Sequence, residues 1–218
     1  MLQKPNFQTK EQYAYHSLRN AILSGQLSPG DKLVIDRLSS EMGLSQIPIR
    51  AAIQRLQAEG LVIIHPHASA VVAPLPPEKI EEIFVLLEGL ERTAFRWACQ
   101  KRTEADLEEL AELVRQMDAL IQKSDSASWL ALNGIFHRRI AAISGMSLLL
   151  DFTNRVLDEW QRISHHYFSN VTSDRIQQAQ QEHHQIVNLL RNRDAVALDA
   201  LAATHNQEAN LSYQALLK

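Results

Sequence analysis

The chain has few of the residues that staple or break structure. Its 218 residues contain one cysteine, Cys99, which excludes a disulfide framework and a cysteine-rich zinc site. No apolar run reaches 18 residues, so no membrane-spanning helix is expected. The opening MLQKPNFQTKEQYAYH lacks a basic-then-apolar leader, so the expected location is cytoplasmic rather than secreted. Neither charge sign dominates. Twenty-two Lys+Arg against 25 Asp+Glu exclude a protein coated in basic surface, while leaving room for a local basic site. Proline is missing from every position after 77: all seven lie at Pro5, Pro29, Pro48, Pro66, Pro74, Pro76 and Pro77.

Proline breaks helix interiors and central strands, so this clustering marks a change of architecture. Residues 1–76 are expected to form a small, turn-punctuated domain, joined by a linker at about 73–78 to an all-helical domain over 79–218. Charge shifts at the same place. Residues 1–76 carry a net +2 and the remainder a net −5, which puts a polyanion partner on the N-terminal side.

Three helices and a strand pair are legible in the small domain. Residues 11–25 carry Tyr15, Leu18, Ala21 and Ile22 at helical spacing and end at Gly25. Ser28-Pro29-Gly30-Asp31 forms a turn. A short helix from Asp36 to Met42 stops at Gly43, a C-cap position. Ser45 has the character of an N-cap for a third helix, with Pro48 in its first turn and Gly60 at its end. Leu61–Ile64 and Val71–Ala73 read as strands around a turn at 66–69. Helix, turn, helix and β-ribbon is the winged helix-turn-helix plan, whose second paired helix enters the DNA major groove. Gln46 and Arg50 share one face there, and such side chains read adenine and guanine edges. Ser45 lies at the same helix start. Arg19, Lys32, Arg37 and Arg55 are available to phosphates. The same pattern fits a small helical cap with solvated charges.

Residues 33–72, LVIDRLSSEMGLSQIPIRAAIQRLQAEGLVIIHPHASAVV, resemble the DNA-binding domain of the GntR family of bacterial transcription regulators. The preceding Ile22–Leu33 matches the exit of that family's first helix. The resemblance implies double-stranded operator DNA as partner. Arg50 keeps a family DNA contact, whereas Gln46 and Asp36 stand where the family has arginines. The wing reads His65-Pro66-His67-Ala68-Ser69-Ala70 in place of a glycine and basic residues, which leaves His65 and His67 as candidate contacts. Fewer cationic contacts imply fewer released counterions and a shallower salt dependence.

Beyond the linker, helices are expected near 78–101, 103–123, 126–143, 147–169, 172–192 and 194–217, packed as an antiparallel bundle. Three histidines fall on apolar lines. His137 follows Asn133 by four residues on Leu130, Asn133, Phe136, His137 and Ile140. His183 lies on Ile176, Ala179, His183, Ile186 and Leu190. His205 lies on Leu198, Ala202, His205 and Ala209. A turn near Asp194 puts His183 and His205 eleven residues away on either side, level with each other at about 16 Å from the turn. Two imidazoles at one level and an i,i+4 pair on another helix can enclose a divalent ion with N/O ligands, such as zinc. Hydrogen-bonded core histidines fit the same pattern. No carboxylate is placed on the inward lines beside them, which leaves a metal-dependent hydrolase without a general base.

Leu90-Glu91, Thr103, Phe136-His137, Ser144-Gly145, Glu182-His183 with Ile186, and His205 are similar to landmarks of the helical FCD effector domain of FadR-type GntR proteins. That resemblance implies a metal held by Asn133, His137, His183 and His205, with Asn133 replacing the family's aspartate. Zinc is the first candidate, nickel and manganese the others. It also implies a small-molecule carboxylate effector. Two half-sites multiply specificity and a symmetric protein matches a symmetric site, so a homodimer on a pseudo-palindromic operator is expected. Four neutral ligands would leave the ion's charge for an anionic effector to balance. An arginine common near that pocket is Leu87 here, so Arg138, Arg139, Arg155 and Arg162 are the candidates to replace it. A helical domain kept only for dimerisation is the alternative.

Overall fold

The computed structural model describes residues 9–65, 70–167 and 173–215. Its contacts divide the chain into two compact units, Met1–Leu75 and Pro76–Lys218.

The first unit opens with α1 (Lys10–Leu23), started by a capping box that the sequence reading did not include. Thr9 Oγ1 accepts from Gln12 N at 3.1 Å, and Gln12 Oε1 accepts from Thr9 N at 2.9 Å. The helix buries Ala14, Tyr15, Leu18 and Ile22 against α3. After α2 (Ile35–Met42) the chain reverses at Gly43, whose φ of 63° is open to glycine at no steric penalty. Ser45 takes an extended N-cap conformation before α3 (Gln46–Ala58), but its side chain makes no capping bond. The reason lies three residues on: Pro48 occupies a position whose N–H an N-cap oxygen would accept, and proline has none.

The strand pair is a three-stranded sheet. β2 (Val62–Ile64) and β3 (Ala70–Val72) pair antiparallel, and β3 also pairs with β1 (Lys32–Leu33), a strand beyond the expected two. Lys32 and Ile63 flank Val71 on its two sides. β1 alternates one exposed and one buried residue, too short for a periodicity to register. Leu33, Ile49, Ile53, Leu56, Val62 and Val72 form the core with α1.

The second unit contains, among the described residues, α4 (Glu78–Lys101), α5 (Glu104–Gln122), α6 (Ser126–Ile143), α7 (Ser147–Tyr167), α8 (Ser173–Asn192) and α9 (Ala195–Ala215). α4 packs against α9, α7 and α6, while α8 packs between α5 and α9. The Thr103–Asp106 box opens α5, and Asp125 caps α6. Two arginines exchange caps between α4 and α8. Arg102 donates to the carbonyls of Leu190 and Arg191 at 3.1 and 2.7 Å. Arg193 donates to those of Cys99 and Gln100 at 2.9 and 2.8 Å. Both sets of carbonyls lie in the last turn of their helices, where intrahelical donors run out, and Leu190 also accepts from the Arg193 N–H at 3.2 Å.

Candidate DNA surface and histidine centre

On the first unit, α3 presents Gln46 and Arg50 to solvent as a connected pair. Arg50 Nη2 donates to Gln46 Oε1 at 3.2 Å, and Gln46 Nε2 donates to Asp36 Oδ1 at 2.6 Å. Ser45 is exposed beside them, and so is Ile47, at 79%. Ile47 was not among the expected contacts, although its place at the start of α3 marks it. Arg37 pairs with Glu41 on α2 at 2.8 Å and remains mostly exposed. Arg55 and Arg19 are drawn together elsewhere. Both lie 3.5 Å from Glu59, which accepts from Tyr15 Oη at 2.8 Å. The Arg55 guanidinium also covers the Tyr15 ring, 3.7 Å from its centre. These two cations tie α1 to α3. His65 is exposed at the end of β2, and His67 lies outside the described residues.

The second unit gathers the three histidines. α6 supplies His137, α8 His183 and α9 His205. Their ring centres stand 5.3 to 5.4 Å apart in every pair. One ligand nitrogen from each lies within 4.8 Å of the other two. All three side chains are buried, and Asn133 lies buried one turn before His137.

Each imidazole has its own partner. His205 Nδ1 lies 2.5 Å from Glu182 Oε2. Glu182 is held in turn by Arg175 at 3.1 Å, and Arg175 also donates to the His205 carbonyl at 3.1 Å. His183 Nδ1 faces Gln180 Oε1 at 3.3 Å. His137 Nδ1 pairs with Glu91 Oε1 at 2.7 Å, whereas His183 Nε2 is buried without a hydrogen-bond partner. Glu91 also accepts from Asn206 at 2.7 Å.

Burial and its neighbours set the protonation states. Burial, joined by His205 and His137, pushes His183 well below the ordinary imidazole range. Burial also lowers His205, outweighing the pull of Glu182. Burial alone would raise Glu91 and Glu182. The neighbouring imidazoles, with Arg175 beside Glu182, more than offset it and keep both carboxyls below their usual value.

A cavity of about 50 Å³ adjoins the centre. Glu91, Asn133, His137, Arg175, His205 and Asn206 form its polar wall, and Phe84, Leu87, Leu157, Trp160 and Tyr213 are among its apolar residues. Room for one water takes roughly 10–15 Å³ on this measure, so only a few heavy atoms fit.

Two expectations need correction. Carboxylates do stand beside the histidines: Glu91 and Glu182 are 3% and 7% exposed. Glu91 was legible, being a carboxylate on the buried line Leu87, Glu91, Ala94, Phe95 and Ala98 of α4. Glu182 carried a weaker signal, Arg175 seven residues earlier on α8. The arginine in the cavity wall is Arg175, which is not one of the expected four. Arg138 pairs with Asp158 at 2.8 Å, Arg139 with Asp106 at 2.6 Å and Arg162 with Glu159 at 2.9 Å, while Arg155 is exposed.

Comparison with known proteins decides the family. Residues 82–208 match the FCD domain, and residues 10–72 match the bacterial regulatory proteins of the gntR family. The chain belongs to the GntR family, with an FCD effector domain. A GntR-type pairing of these two parts makes it a transcriptional regulator with a DNA-binding helix-turn-helix, and the hydrolase reading falls away. An HTH-type transcriptional regulator of Agrobacterium vitis, from the intergenic region between ttuE and ttuC′, is 31% identical over 132 residues. That match covers 59% of this chain and 77% of the relative. The Escherichia coli HTH-type transcriptional regulator McbR is 24% identical over 203 residues, covering 91% and 90%. The solved structure of McbR superposes with a TM-score of 0.84 at 21% identity, covering 96% of this chain and 99% of McbR. Among the described residues, no helix of this GntR protein is long and apolar enough to cross a membrane.

Proposed function

We propose that this regulator binds a pseudo-palindromic operator as a homodimer in the cytoplasm, and that a divalent metal with a small carboxylate in its helical domain controls that binding. Arg50 reads a guanine. Ser45, Arg37, His65 and His67 approach the backbone, and Arg19 and Arg55 contribute from the edge of the Glu59 cluster. Asn133, His137, His183 and His205 hold the ion, zinc first and nickel or manganese next. The carboxylate enters the cavity against Arg175.

The observation that carries the metal reading is His183 Nε2, a buried nitrogen without a partner, in a buried triad whose ligand atoms lie within 4.8 Å. A buried polar atom without a partner costs about 1–3 kcal/mol, and a metal removes that penalty. Neutral, buried imidazoles are the form in which histidine binds metal. The bound ion would supply a Lewis-acidic anchor for a carboxylate oxygen. Glu91 and Glu182 change the charge balance read from the sequence. A divalent ion and Arg175 against two carboxylates leave one positive charge, which one small carboxylate neutralises.

Native mass spectrometry of the purified chain tests this. A dimer with one metal per chain is expected, and a His183→Ala, His205→Ala variant should stay metal-free. Wild-type protein that takes up no zinc, nickel or manganese overturns the metal reading. Operator mobility shifts unchanged by any small carboxylate overturn the effector reading.

A further inference from the structure

Gln180 lies buried on α8, one turn before His183, and its amide has a single workable orientation. The nitrogen Nε2 donates to the Val114 carbonyl at 2.9 Å and to Asp118 Oδ1 at 2.7 Å, both on α5. The oxygen Oε1 accepts from the indole Nε1 of Trp129 at 3.2 Å. Rotating the amide by half a turn would set its oxygen against two acceptors and its nitrogen against a donor. Three partners therefore agree on which end is oxygen, and that oxygen also faces His183 Nδ1. An amide oxygen can only accept, so Nδ1 must carry the ring proton. The lone pair of a neutral imidazole then sits on Nε2, the buried nitrogen with no protein partner.

We propose that Gln180, oriented by Asp118, is a positioning residue that locks His183 in the tautomer able to ligate metal. The inference rests on the metal reading above but concerns residues outside the ligand set. In metal sites the group that binds a histidine's second nitrogen sets its tautomer and ring angle, and losing that group typically costs 10–100-fold in affinity. A carboxylate fills this role for His205 through Glu182. For His183 the carboxylate stands one step back, and the amide inverts its polarity from acceptor to donor and back to acceptor. Asp118 is half-exposed and also meets His184 Nε2 at 3.1 Å, so the relay runs from the surface to the centre.

The test has a metal-free arm and a metal arm. Nitrogen-15 NMR of the chelator-stripped wild-type protein should show His183 protonated at Nδ1 and bare at Nε2; the opposite tautomer overturns the proposal whether or not any metal binds. In the metal arm, zinc affinity is measured by competition with a chelator. Gln180→Leu should weaken it 10–100-fold. Asp118→Leu removes one of the two acceptors that orient the amide while leaving Val114 and Trp129 in place, and should weaken zinc binding several-fold. Equal affinity in Gln180→Leu and wild type overturns the proposal. If Gln180→Leu does not fold, Asp118→Leu decides, and zinc affinity equal to wild type in that variant overturns the proposal. Wild-type protein with the expected tautomer but no zinc binding would sink the metal reading alone.

Discussion

Replacing His137 by leucine isolates the effect of a buried carboxylate that loses its neighbour. Glu91 is 3% exposed, and its two oxygens face His137 at 2.7 Å and Asn206 at 2.7 Å. Leucine fills a similar volume, so the cavity contribution is small and the electrostatic one dominates. Removing one member of a buried pair costs about 3–5 kcal/mol. Protonation sets a ceiling. Glu91 starts from an ordinary value of 4.5, so becoming neutral at pH 7.5 takes three pH units, or about 4 kcal/mol at roughly 1.4 kcal/mol each. For a unit of this size, 1 kcal/mol moves Tm by roughly 3–4 °C, so the metal-stripped variant should melt about 10–15 °C lower at pH 7.5. In the variant, burial without the His137 imidazole raises the Glu91 carboxyl that wild type holds low, and this sets a pH signature. The unfolded chain loses its proton first, so the deficit grows as pH rises above about 4.5 and shrinks toward zero below it. Adding Glu91→Leu removes the stranded charge and should restore part of the loss, because the two positions are coupled. Thermal unfolding followed by circular dichroism in the presence of EDTA gives all three quantities. A His137→Leu variant within 1 kcal/mol of wild type, or a deficit independent of pH, would refute the reasoning.

Further outcomes follow from the same geometry. His183 and His205 have folded values below the unfolded value of about 6.5, so the unfolded chain binds more protons between the two. Metal-free stability should therefore be complete above about pH 6.5 and fall on acidification, by at most ~1.4 kcal/mol per pH unit for each histidine; a flat Tm from pH 7.5 to 5.5 contradicts the assignment. Arg50→Ala should weaken operator binding by about 1–3 kcal/mol and relax preference at one base per half-site, as read by selection from randomised DNA; a uniform loss on all sequences would make Arg50 a phosphate contact instead. Ser45→Ala should change stability by less than about 0.5 kcal/mol, whereas Thr103→Ala should cost about 1 kcal/mol, since only Thr103 makes its capping bond. Denaturant midpoints of the two variants compare these directly.

Much of this was legible beforehand because periodicity and proline placement are strong signals. The apolar lines of α6, α8 and α9 placed His137, His183 and His205 inward, and the level matching of His183 and His205 agrees with ring centres 5.3 Å apart. What escaped depends on partners distant in sequence. Glu91 and Asn206 meet across 115 residues, and Gln180 meets Val114 across 66. A carboxylate on an apolar stripe can be noticed, but which histidine it faces follows only from packing. The cavity arginine was missed for the same reason. Arg175 lies in the first turn of α8, and only the position of α9 brings the His205 carbonyl to it. The strand at Lys32–Leu33 escaped because two residues carry no period, and its pairing with β3 is entirely long-range.

The exchanged caps of Arg102 and Arg193 bear on how α4 and α8 can move. Arg193 adopts φ 56°, a left-handed conformation that glycine takes more easily, and that strain is offset by the carbonyls its guanidinium reaches on α4. A slip of one residue along either helix, about 1.5 Å, would break bonds at both arginines at once. Pivoting about that joint leaves them intact. α4 carries Glu91 and α8 carries Gln180, Glu182 and His183, so the two clamps hold in register the helices whose side chains meet at the histidine centre.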